Sequence, residues 1–147
     1  LSKLAKKVAE KGFIRAVATA QREPIAHTVV RALHRGVTEY YENQPGRKAG
    51  VLEQLKICMS RIKSGKVIDP NLVIELAKET SEYSANGLII VLDELGKGLE
   101  YAALSSSTGD LYLLQQLAEL KSDAGIYVIG LLHQSFADYS LSLSTMQ

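Results

Sequence analysis

Leu88-Ile89-Ile90-Val91-Leu92 runs without a polar break into Asp93-Glu94. A strand with one face in water alternates apolar and polar residues. An unbroken aliphatic run of this length predicts a strand covered on both faces, as in the middle of a parallel sheet. Gly125-Ile126-Tyr127-Val128-Ile129-Gly130-Leu131-Leu132 is a second such run. Parallel neighbours need a long crossover. The intervening chain supplies one: helical segments around Lys97 to Leu104 and Asp110 to Ser122, joined at Ser105-Ser106-Ser107-Thr108-Gly109. The two runs and their crossover predict a right-handed βαβ unit.

The first half of the chain reads as helices around one more strand. Leu1, Leu4, Ala5 and Val8 share a helical face with lysines opposite, and Gly12 is a stop signal. Phe13 to Ala18 predicts a short strand. Pro24 opens a helix whose inward face is Ile25, Val29, Leu33, Val37 and Tyr40. Gln44-Pro45-Gly46 breaks it. A helix near Ala49 to Lys63 turns Leu52, Leu55, Cys58, Met59 and Ile62 inward, and Ser64-Gly65 ends it. Asp69-Pro70 starts another, running to about Tyr83, with Leu72, Val73, Leu76 and Ala77 inward. The expected fold is α/β over residues 1–147: a three-layer arrangement with a short, three-stranded parallel sheet flanked by helices. The 88–92 strand should lie between 13–18 and 126–132, with Asp93, Glu94 and His133 on one sheet edge.

Composition narrows the classes. With 147 residues, 46% of them hydrophobic, the chain has too much apolar surface for wholesale disorder. The single Cys58 excludes an internal disulfide framework and a Cys-rich zinc site, and fits a reducing cytoplasm. The longest apolar runs fall far below the ~20 residues that a helical membrane span requires. Lys3, Lys6, Lys7 and Lys11 precede Phe13 to Ala20, which ends in a cleavage-like Ala18-Thr19-Ala20, but Arg15 interrupts the apolar core that a signal peptide needs. The chain opens on Leu1 and is expected to be an excerpt of a longer protein.

Charge is distributed unevenly. Residues 1–66 carry 14 Lys/Arg against 5 Asp/Glu, a net of +9; residues 67–147 carry 3 against 11, a net of −8. Such a gradient serves either to attract a polyanion or to neutralise one half against the other, within the fold or across a homo-oligomer. Arg31, Arg35, Lys56 and Lys63 form the candidate nucleic-acid track, though no aromatic residues interleave with them for base stacking. His27 and His34, seven residues apart, lack a third ligand at metal-site spacing. Arg15 and Arg22 flank the first strand and lie within reach of a phosphate or of solvent.

The chemistry concentrates at Asp93-Glu94. Adjacent carboxylates at a strand tip repel each other beside a dry core, and the carboxyl edge of an open α/β sheet is where ligands bind. A Mg²⁺-nucleotide site accounts for both: Asp93 holds the metal through its water shell, and Glu94 orients or deprotonates the attacking water. The alternative is that Asp93 caps the following helix. The second run ends in His133-Gln134-Ser135, so His133 or Gln134 faces the same cleft as a γ-phosphate sensor, or Ser135 simply caps a last helix from Phe136 to Leu143. Lys97 and Glu100 either close the cleft or form an ordinary surface pair.

Leu88 to Glu94 resembles the Walker B element of P-loop ATPases with an additional catalytic glutamate, the division that includes AAA+ and STAND proteins. Extended through Asp93-Glu94-Leu95-Gly96-Lys97-Gly98-Leu99-Glu100-Tyr101-Ala102-Ala103, Asp110 to Glu119 and Leu132 to Phe136, the pattern resembles a group of large prokaryotic ATP-binding proteins over residues 86–140. The resemblance implies Asp93 on Mg²⁺, Glu94 as catalytic base, His133 or Gln134 as sensor, and ATP as the nucleotide. It also implies that hydrolysis drives conformational change in a larger protein, whose remainder is the first partner. One element is missing: no G-x-x-x-x-G-K-[ST] phosphate loop occurs in the sequence. Without it, no turnover is expected from these residues alone. The alternative function is a non-catalytic interaction module whose basic half contacts nucleic acid or partner subunits.

Overall fold

The structure, a computed structural model, describes residues 12–42, 50–84, 86–105, 108–120 and 125–133. Its elements are β1 (Ile14–Thr19), α1 (Ile25–Glu42), α2 (Gly50–Lys63), α3 (Pro70–Glu82), β2 (Leu88–Asp93), α4 (Leu95–Leu104), α5 (Thr108–Glu119) and β3 (Ile126–Gly130). The fold is α/β. Its three strands form one parallel sheet in the order β1-β2-β3, so the aliphatic run occupies the centre as expected. The expected helices at 1–11 and 136–143 lie outside the described residues. Among the described residues, no helix is long and apolar enough to cross a membrane.

Local chemistry sets the boundaries. Asp69 caps α3, its carboxylate accepting the Asn71 N–H at 2.9 Å, and Pro70 takes the first helical turn. The Ser84 hydroxyl accepts the Gly87 N–H and donates to the Gly87 carbonyl, closing the turn into β2. A Cβ at Gly87 would sit 2.0 Å from the Gly125 carbonyl oxygen, so only glycine lets β2 and β3 start this close together. β1 begins and ends one residue later than Phe13–Ala18. β3 stops at Gly130, before Leu131-Leu132, because beyond it the chain bonds to the turn after β2.

One apolar core unites the helices with a single face of the sheet. Ile14 and Ala16 of β1, Leu88, Ile90 and Leu92 of β2 and Ile126 of β3 meet Ile25, Val29 and Leu33 of α1, Leu55 of α2, Leu76 of α3 and Leu113 and Leu117 of α5. Side chains of opposite parity behave differently: Ile89 and Val91 are only half-buried, and Val17, Tyr127 and Ile129 are exposed. The expectation that Leu88–Leu92 is fully covered on both faces therefore needs correction. Both crossovers step in the same direction, and right-handed crossovers stepping one way lay their helices on one side.

Candidate functional site

The turn after β2 is clamped from both sides. The Ala20 N–H donates to the Asp93 carbonyl at 2.7 Å, extending β1 past its end. On the other side the Leu131 N–H donates to the Leu92 carbonyl and the Leu95 N–H to the Leu131 carbonyl, both at 3.0 Å. Between these anchors Glu94 takes a left-handed backbone, φ 51° and ψ 39°, the one non-glycine residue with positive φ among the described residues. Glutamate is a poor choice for that conformation, because its Cβ crowds the following carbonyl. Strained residues of this kind cluster at functional sites.

Three side chains converge there. Glu94 Oε2 lies 2.5 Å from Lys97 Nζ, one turn into α4. Glu94 Oε1 lies 3.4 Å from Nε2 of His133, just past β3. Asp93 Oδ1 accepts the Glu94 N–H at 2.8 Å. Asp93 thus makes a bond to its neighbour, whereas Glu94 occupies the helix N-cap and makes no side-chain cap bond. The juxtaposition of Asp93, Glu94 and His133 follows from the parallel register, which sets Leu92 opposite Gly130 and brings both strand tips to one edge. Gln134 lies outside the described residues.

The electrostatics favour an ionised glutamate. The hydrogen bond from Lys97 first, and that from His133 second, hold the Glu94 carboxyl below its usual range. With its side chain 30% exposed, the carboxylate is reachable by water. A carboxylate held by an ammonium is a good acceptor for orienting a water molecule and a weak base for deprotonating it. Among the described residues no three His, Cys, Asp or Glu side chains are grouped to hold a metal. That donor set does not exclude Mg²⁺, which is typically held by one or two carboxylates together with waters and substrate phosphates.

A second polar cluster lies where β1 passes into α1. Arg31 is ion-paired with Glu23 and donates to the Thr19 carbonyl at 3.2 Å; the Thr28 hydroxyl also donates to Glu23, at 3.0 Å. Buried Asp110 of α5 accepts the Ile25 N–H at 3.0 Å, so a negative charge already satisfies the α1 N-terminus. His27 lies beside Glu23 and Asp110. Burial pushes its imidazole below the usual value, against the pull of both carboxylates. Sequence reasoning missed this cluster because Asp110 and Ile25 are 85 positions apart.

The proposed basic track is largely spoken for within the chain. Arg31 is committed to Glu23, Arg35 pairs with Glu39 at 3.0 Å, and Lys56 pairs with Glu53 at 3.2 Å. Lys63 closes the last turn of α2. Arg22 approaches Glu100 at 3.9 Å, linking the basic and acidic halves. His34 has Lys56 as its charged neighbour, not a ligand partner. Cys58 is buried in the core. No family model, curated protein or solved structure matches this chain.

Proposed function

We propose that this chain carries the carboxylate side of a Mg²⁺–ATP hydrolysis site, within a protein that couples hydrolysis to conformational change. The observation that supports this reading is the convergence of Glu94 and His133 from the tips of adjacent parallel strands, beside Asp93. Asp93 supplies a hard oxygen donor suited to hydrated Mg²⁺, a fit consistent with its place at the strand tip. The cation, when bound, would neutralise phosphate charge. Glu94 orients the attacking water and, once freed from Lys97, accepts its proton. His133 bonds Glu94 and lies where it can report the state of the phosphate. The groove at the sheet's carboxyl edge is the general location for such ligands.

The sequence supplies no phosphate-binding loop. The 147 residues alone are therefore expected to bind ATP very weakly and to hydrolyse none; micromolar ATP affinity in isothermal titration would refute that argument. In a protein that joins this segment to such a loop, Glu94→Gln should lower turnover by about 10²–10⁴-fold while sparing ATP binding, the range for loss of a general base. Asp93→Asn should weaken Mg²⁺-dependent binding. Normal turnover in Glu94→Gln would move the chemistry elsewhere. A non-catalytic interaction module draws support from a different observation, the exposed apolar side chains Val17, Tyr127 and Ile129 on the sheet.

A further inference from the structure

Among the described residues, three glutamate–lysine ion pairs share the i, i+3 spacing, and one differs from the other two. Glu53–Lys56 on α2 closes at 3.2 Å and Glu75–Lys78 on α3 at 3.6 Å. In both, the carboxylate is the more exposed partner, as in an ordinary solvated pair on a helix surface. Glu94–Lys97 reverses that order. At 2.5 Å separation its ammonium is 51% exposed and its carboxylate 30%. The Glu94 backbone is left-handed, and its second carboxylate oxygen lies 3.4 Å from Nε2 of His133. Each oxygen of Glu94 therefore has a polar partner, and Lys97 is the partner that an arriving solute reaches from solvent.

We propose that Lys97 is a latch worked by phosphate: the terminal phosphoryl group of a bound nucleotide draws the ammonium away from Glu94 Oε2 and so frees that oxygen for the attacking water. The inference rests on the Mg²⁺–nucleotide reading above and adds to it what releases the base. Charge decides the exchange. A phosphoryl dianion attracts an ammonium about twice as strongly as a carboxylate does at the same distance. The ammonium has three N–H donors, so a bond to phosphate forms while another still holds Glu94. An ion pair whose lysine stands half in water is weak enough to exchange. Glu94 keeps its place when Lys97 leaves. Backbone bonds from Ala20 to Asp93, from Leu131 to Leu92 and from Leu95 to Leu131 fix the turn, and His133 approaches the other oxygen; none of these uses the lysine side chain. Until phosphate arrives the carboxylate stays occupied, so Lys97 is a positioning residue that ties activation of water to the presence of substrate.

The test is a carbon-13 NMR titration of the 147-residue chain with inorganic tripolyphosphate, free of metal, at about pH 8, where lysine and glutamate are both charged. In the unaltered chain, millimolar tripolyphosphate should move the Lys97 Cε and Glu94 Cδ resonances along one binding curve. Their shifts should exceed those of Lys56 and Glu53 by about twofold or more, and chloride at the same ionic strength should not reproduce them. Lys97→Arg should keep the Glu94 response and Lys97→Met should remove it. A Lys97 shift no larger than that of Lys56, a Glu94 resonance that stays still while Lys97 moves, or a Glu94 response that survives Lys97→Met would overturn the proposal. Asp93→Asn separates the latch from the metal site. The metal-free response should be unchanged in that variant, and its loss would count against the latch. With Mg²⁺ and ATP added, an effect that depends on Asp93 upholds the carboxylate site even where the latch fails, and its absence refutes that site even where the latch responds.

Discussion

Gly36, in the middle of α1, lies directly against the backbone of β1, and replacing it with alanine tests the α1–β1 packing. A Cβ there would lie 2.5 Å from the Arg15 carbonyl oxygen, 2.9 Å from its carbon and 3.0 Å from the Ala16 Cα. All three are backbone atoms of β1 and cannot rotate aside. Restoring ordinary contact at 3.4 Å or more moves α1 outward by close to an ångström. A gap of 0.5–1 Å forfeits about a quarter to a half of each dispersion contact, and α1 buries Ile25, Val29, Val30, Leu33 and Val37 completely. Overpacking of this kind costs about 1–3 kcal/mol. Alanine's helix propensity returns about 1 kcal/mol of that. The net loss is about 0–2 kcal/mol, a fall of up to roughly 8 °C in Tm for a domain near 150 residues. Urea denaturation followed by circular dichroism gives the value. Gly50→Ala serves as control, since nothing lies within 4 Å of its added Cβ. If Gly36→Ala proved as stable as Gly50→Ala, the close approach of α1 to β1 would be refuted.

Three further outcomes follow from the charges. Lys97→Met should raise the Glu94 carboxyl toward its ordinary value, since Lys97 is the main cause of the depression; a carbon-13 NMR titration unchanged by the substitution would contradict the pairing. His27 and His34 both have imidazoles lowered by burial from the usual 6.5. The unfolded chain therefore takes up protons first as pH falls below about 6.5, and stability declines from there down through the folded values. The urea midpoint should drop between pH 7.5 and pH 5, and His27→Gln should shrink that drop; an unchanged drop would clear His27 of the effect. Any binding of single-stranded nucleic acid should be weak, fall steeply with salt and survive Arg31→Ala, because Arg31 is committed to Glu23 and Thr19. Anisotropy that is tight, or abolished by that substitution, would restore the basic track.

What the sequence made legible, and what it did not, follows from the range of each interaction. Asp69-Pro70 announced α3 because a cap is decided within a few residues. The aliphatic runs announced β2 and β3, and parallel pairing then placed His133 near Glu94 without further information. The one-sided coverage of β2 was not legible, since aliphatic character reports tolerance of burial, and the direction of the crossovers decides which face receives helices. The left-handed backbone of Glu94 was equally hidden. Hydrogen bonds from Ala20 and to Leu131 impose it, and a non-glycine residue gives no local sign of it. Lys97 and Glu100 could be read either as closing the cleft or as an ordinary surface pair; in the fold they do not pair with each other, since Lys97 reaches back to Glu94 and Glu100 meets Arg22.

The central claim is that Asp93, Glu94 and His133 together form one Mg²⁺-nucleotide edge. Paramagnetic broadening tests it directly in the 147-residue chain, with Mn²⁺ standing in for Mg²⁺. At millimolar ATP, trace Mn²⁺ should broaden the amides of Asp93, Glu94 and Leu95 and the ring of His133 more than Mn²⁺ alone does, and Asp93→Asn should remove the difference. Broadening indifferent to ATP, centred elsewhere on the chain, or unchanged in Asp93→Asn would contradict the account.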